Sequence, residues 1–121
     1  MITVKGVYGE ELALLYKEAK KEINEFSGAV VAKDGENSCG YCLFEIKDGK
    51  MTITEIDPSI NLSMADGVLR SALHIAVCRN ITDAFYSCNE EIMEKLCFIE
   101  NKQEKRLKIS KLFESCCCNK N

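Results

Sequence analysis

Apolar residues recur at helical steps in three stretches of the chain and alternate or cluster in several others, and this rhythm divides it into elements. Ile2, Val4 and Val7 make a short apolar stretch over residues 2–7. From Glu10 the period becomes helical: Leu12, Leu15, Tyr16, Ala19, Ile23 and Phe26 share one stripe, and Ser27-Gly28 ends it. Three strands follow at 28–33, 41–46 and 51–56, separated by the hairpin-turn pairs Asp34-Gly35 and Asp48-Gly49. In the second, Cys42, Phe44 and Ile46 share one face, with Tyr41, Leu43 and Glu45 on the other. Asp57-Pro58 stops the third, because proline has no N–H for a central ladder. A helix is predicted over 65–80, with Val68, Leu69, Ala72, Leu73 and Ala76 as its buried stripe.

Residues 81–88 then read as a strand, and Asn89 as the N-cap of a short helix reaching Phe98. A final strand is predicted over 106–113, where Leu107, Ile109 and Lys111 alternate with Lys108, Ser110 and Leu112. The order is β-α-β-β-β-α-β-α-β, with room for one more strand near Phe98–Glu100. That order predicts a single α/β (α+β) domain: a central mixed, mostly antiparallel sheet flanked by helices.

Composition narrows the class without naming a chemistry. The 121 residues, 46% hydrophobic and 29% charged, suit one globular domain, expected over 1–114 with a cysteine-rich tail at 115–121. No apolar run nears the ~20 residues that cross a bilayer, and Met1 leads straight into a strand-like stretch. These features predict a cytoplasmic protein that is not membrane-bound. A net charge of −3 speaks against nucleic acid as a partner.

In a reducing compartment the eight cysteines are not expected to form a disulfide framework. Cys78, Cys88 and Cys97 read as small apolar fillers, whereas Cys116, Cys117 and Cys118 could bind a soft metal or undergo oxidation. Cys39-Gly40-Tyr41-Cys42 has redox spacing, but it runs into a strand rather than a helix, so its two thiols are expected to diverge. His74, the only histidine, falls off the apolar stripe of its helix and reads as solvated.

Three segments carry a resemblance. Thr54-Glu55-Ile56-Asp57-Pro58 looks like the end of a central strand, Val68-Leu69-Arg70-Ser71-Ala72-Leu73 like the start of the following helix, and Glu94-Lys95-Leu96-Cys97-Phe98 is similar to a stretch ending in glycine and phenylalanine. Together with the element order they resemble the GNAT superfamily of acetyl-coenzyme A-dependent N-acetyltransferases, without its usual second N-terminal helix.

The resemblance implies an acyl-coenzyme A cofactor, acetyl-CoA, held by backbone amides where a loop enters a helix. The matching loop is Ile60 to Ala65. Ser63 and Ala65 keep small residues at the glycine positions, and Ile60 stands at the polar one. The implied cofactor-binding residues are Leu62, Ser63, Met64, Ala65, Asp66 and Gly67, with Ile56 supplying an amide at the strand end for the thioester carbonyl. Glu55 is the implied catalytic base, and Met93 falls where the family often has a tyrosine acid, leaving Tyr86 and Cys88 as substitutes. The implied acceptor is a small-molecule or peptide amine, and the state a monomer or homodimer. The alternatives are a non-catalytic GNAT-fold binding protein and a metal or redox protein built on the tail cysteines.

Overall fold

Both predicted hairpin turns form in the computed structural model, which describes residues 2–113. Asp48 and Gly49 both take positive φ (55° and 75°), joining β3 to β4 by the two-residue turn whose twist suits a hairpin. The elements are β1 (Ile2–Val7), α1 (Gly9–Glu18), β2 (Ser27–Asp34), β3 (Asn37–Lys47), β4 (Lys50–Ile56), α2 (Leu62–Cys78), β5 (Asp83–Tyr86), α3 (Glu90–Lys95), β6 (Ile99–Asn101), β7 (Arg106–Leu107) and a 3-10 turn, Ile109–Phe113. The strands form a seven-stranded sheet in the order β1-β2-β3-β4-β5-β7-β6. Among the described residues only the β4–β5 pairing is parallel.

One face of the sheet packs on α2, whose predicted stripe is fully buried against Val30, Cys42, Phe44, Met51, Ile53 and Ile56. The other face carries α1, where Tyr16, Val7, Val31 and Leu43 make a smaller core. No helix among the described residues is long and apolar enough to cross a membrane. The expected tail with Cys116, Cys117 and Cys118 lies outside the described residues.

Four local predictions are corrected. The first helix stops at Glu18, eight residues before Phe26. Lys20 takes a left-handed φ of 61°, Lys20 N–H bonds Lys17 O at 3.1 Å and Lys21 N–H bonds Tyr16 O at 3.0 Å. This is the helix-ending motif that usually shows itself as a glycine, and here a lysine fills it. The same pattern ends α2 at Asn80 (φ 61°) and α3 at Cys97 (φ 64°). Residues 109–113 turn instead of extending, because Ile109 and Leu112, three apart, both pack against the larger core.

Cys39 and Cys42 do not diverge. The register between β2 and β3 slips after Ala32, so Cys39 is an extra residue, and both cysteines pack toward the core under α2. Finally, Asn89 makes no cap hydrogen bond to α3 and serves the neighbouring strand instead.

Burial raises the Cys42 thiol above its ordinary range. Burial and the Glu55 carboxylate likewise raise the Tyr41 phenol. The folded chain therefore keeps protons that the unfolded chain gives up from about pH 8.5 for cysteine and about pH 10 for tyrosine. Stability is complete below those values and falls as pH rises through them. Urea unfolding between pH 7 and 10.5 should show this fall, and Cys42→Ala should lessen its first part, to which the half-buried Cys88 also contributes. A flat profile would contradict the burial argument.

Candidate active site

A single extra residue in β4 builds the site. Phe44 pairs with Ile53, but Leu43 pairs with Glu55 and Cys42 with Ile56, so Thr54 is bulged out of the ladder. The bulge restores Ile56 to the buried face under α2 and turns Glu55 to the α1 face, beside Tyr41 of β3. The Tyr41 hydroxyl donates to Glu55 Oε2, and Lys21 Nζ lies 3.3 Å from Oε1. Lys21 reaches this point because the turn at Lys20 releases the chain there. The Glu55 side chain is 19% exposed, so it is a largely enclosed carboxylate rather than one member of an exposed row with Asp57. Its chemistry is that of a proton acceptor already wired to a phenol.

Beside the bulge, β4 and β5 part. Their parallel pairing ends at Ile53 and Tyr86. Ser87 N–H still reaches Ile53 O at 2.9 Å; beyond it, side chains replace the ladder. Cys88 Sγ lies 2.6 Å from Thr54 O and 2.7 Å from Asn89 Oδ1, and Ile56 N–H donates to that same Oδ1 at 2.9 Å. Burial, and then the nearby Glu55 carboxylate, raise the Cys88 thiol, which makes it a hydrogen-bond donor rather than a nucleophile.

The start of α2 offers fewer amides than expected. Asn61 caps the helix, its Oδ1 accepting from Met64 N–H at 2.8 Å, while Ala65 N–H bonds Asn61 O at 2.9 Å. Asp66 and Gly67 lie beyond the first turn, where amides bond within the helix. Leu62 and Ser63 remain as the two amides free to face a ligand. The Asp66 carboxylate is matched by Arg70 at 2.8 Å. Ile60 packs over Gly40, where any Cβ would come within 2.2 Å of Ile60 Cδ1, and this contact fixes the loop between β4 and α2.

Other candidates fall elsewhere. Met93 is fully buried in the larger core. Tyr86 points into that same core, on the face opposite Glu55, and its hydroxyl has no partner among the described residues. Tyr41, not Tyr86, is thus the phenol at the site. His74 is exposed, 3.7 Å from Cys78 Sγ. Among the described residues no three His, Cys, Asp or Glu side chains gather as a metal site. A cavity of about 280 Å³ lined by Val7, Phe26, Phe44, Ile75 and Arg79 lies at the opposite end of β3.

No protein-family model matches the sequence, and no curated protein matches it. Solved structures do. The ribosomal-protein-S18-alanine N-acetyltransferase from Escherichia coli superposes with a TM-score of 0.61 at 11% identity, over 88% of each chain. The IAA acetyltransferase from Bacillus cereus does so with a TM-score of 0.57 at 16% identity, over 85% of each. The chain has the GNAT fold. A third structure, the PaiA N-acetyltransferase from Thermoplasma acidophilum in complex with coenzyme A, matches with a TM-score of 0.50 at 10% identity, over 78% of this chain and 63% of its own. At such identities the likeness is one of fold, and chemistry must be argued from the site. Residues 19–26, after α1, form no second helix and carry Lys21 to Glu55.

Proposed function

We propose that the chain is an acyl-coenzyme A-dependent N-acyltransferase acting on a small-molecule or peptide amine. One observation carries the reading: Glu55, bonded to Tyr41 and Lys21, stands next to the point where β4 leaves β5. Glu55 takes the proton of the acceptor ammonium, freeing the amine to attack the thioester carbon. The Ile56 N–H polarises the thioester carbonyl as charge builds on its oxygen. When the carbon–sulfur bond breaks, Tyr41 gives its proton to the departing thiolate and recovers one from Glu55 along their hydrogen bond; Glu55, ionised again, takes the second proton of the substrate nitrogen and releases it to solvent. Tyr41 is suited to this because its raised pKa keeps it protonated until then.

The Leu62 and Ser63 amides and the dipole of α2 suit the diphosphate of coenzyme A, and Arg70 offsets the Asp66 charge nearby. A second reading, a GNAT-fold binding protein without catalysis, is favoured by the side-chain acceptors that already hold the Ile56 and Met64 amides.

Thermal unfolding with acetyl-coenzyme A and thiol release in the presence of a panel of primary amines decide between them. At 100 times its dissociation constant the ligand should add about 2.7 kcal/mol of stability. Stabilisation with amine-dependent thiol release supports the enzyme, and stabilisation without release supports the binding protein. No stabilisation at millimolar ligand overturns the proposal.

A further inference from the structure

The amide assigned above to the acyl carbonyl already has an occupant. Ile56 N–H donates to Asn89 Oδ1 at 2.9 Å, and a backbone N–H serves one acceptor well at a time. The arrangement is costly to build. Asn89 adopts a left-handed backbone, φ 60° and ψ 37°, and leaves its own helix α3 without a side-chain cap. The orientation of its carboxamide is set by Ile56 N–H, which can only donate and therefore faces oxygen rather than nitrogen. A carboxamide oxygen thus sits where the acyltransferase reading needs a thioester oxygen: the same kind of acceptor, on the same hydrogen.

We infer that the Asn89 carboxamide is an internal stand-in for the acyl carbonyl, and that Asn89 sets how strongly the site prefers acylated over free coenzyme A. The inference rests on the acyltransferase reading. An acyl group gains the Ile56 hydrogen bond only by displacing Asn89, so the exchange replaces one carbonyl with another and yields little affinity. Free coenzyme A has no acyl oxygen and leaves Asn89 in place. The native chain should therefore bind acetyl-coenzyme A and coenzyme A about equally. Asn89 is half-buried, and it holds the Ile56 amide through its side chain.

Calorimetric titration of the native chain, Asn89→Gly, Asn89→Ala and Asn89→Asp with acetyl-coenzyme A and with coenzyme A tests this. Glycine accepts the left-handed backbone at no steric cost, and alanine removes the same carbonyl while keeping a Cβ. In both, acetyl-coenzyme A should tighten by about two- to tenfold, the worth of one hydrogen bond, with coenzyme A unchanged. Aspartate keeps an acceptor on Ile56 N–H and should retain the native ratio.

In the native chain the Ile56 amide resonance should shift with acetyl-coenzyme A and stay put with coenzyme A. If both ligands bind but their affinity ratio is the same in all four proteins, Asn89 only holds the strands together and the inference is wrong, with the acyltransferase reading intact. If neither ligand binds any of the four, the reading and the inference both fall.

Discussion

Glu55→Gln is expected to lower amine acylation by about 10²- to 10⁴-fold, the usual worth of a positioned general base. Glutamine has nearly the same shape and still offers an oxygen to the Tyr41 hydroxyl, so the local packing should survive. It cannot hold the proton taken from the acceptor ammonium, nor return one to Tyr41. Binding of acetyl-coenzyme A should be unchanged, because no part of Glu55 is assigned to the coenzyme. Stability should move little: Lys21 is 43% exposed, and such an ion pair contributes at most about 1 kcal/mol. The loss should thus fall on kcat, measured by thiol release under saturating amine. A variant that keeps the native rate would remove Glu55 from the mechanism.

Leu73→Ala should be the most damaging of the substitutions considered. Leu73 is fully buried in the stripe of α2, the helix that packs against strands from β1 to β4 on one face of the sheet. Truncating a leucine at such a position costs about 3–5 kcal/mol through lost burial and the cavity left behind. Domains of this size have about 5–15 kcal/mol in total, so the variant should unfold at much lower urea with an unchanged denaturant slope. A loss below about 1 kcal/mol would mean that the helix can close over the gap, contrary to a tightly packed face. Acyl-coenzyme A binding should weaken with it, since the first turn of α2 carries the Leu62 and Ser63 amides.

Most of the fold could be read from the order of residues because its signals are local. Asp48-Gly49, the Pro58 stop and the Val68-to-Ala76 stripe each act within a few positions, and each formed as read. The site depended on signals that are not local. Without the bulge at Thr54, alternation from Met51 and Ile53 would place Glu55 under α2, away from Tyr41. A trace of that bulge lies in the sequence: Met51, Ile53 and Ile56 are apolar, and the spacing of three after Ile53 breaks the two-residue period.

Lys21 was hidden differently. The helix stop depends on a left-handed lysine, which has none of the signature of glycine, and the apolar Ile23 and Phe26 appeared to continue the stripe. Asn89 matched every rule for a helix cap. It was drawn away by an unpaired amide on a strand distant in sequence, a competition visible only in three dimensions.

The parallel β4–β5 pairing has a consequence for how the molecule comes together in time. Strands β1 to β4 are joined mainly by near neighbours and can assemble as soon as their turns close, but β5 reaches β4 only after α2 has crossed the sheet. Until then the outer edge of β4, apolar at Met51 and Ile53, lies bare and open to strands of other chains. The half of the molecule that completes the candidate site is thus the last to dock, so a partly made chain exposes a strand edge before that site exists.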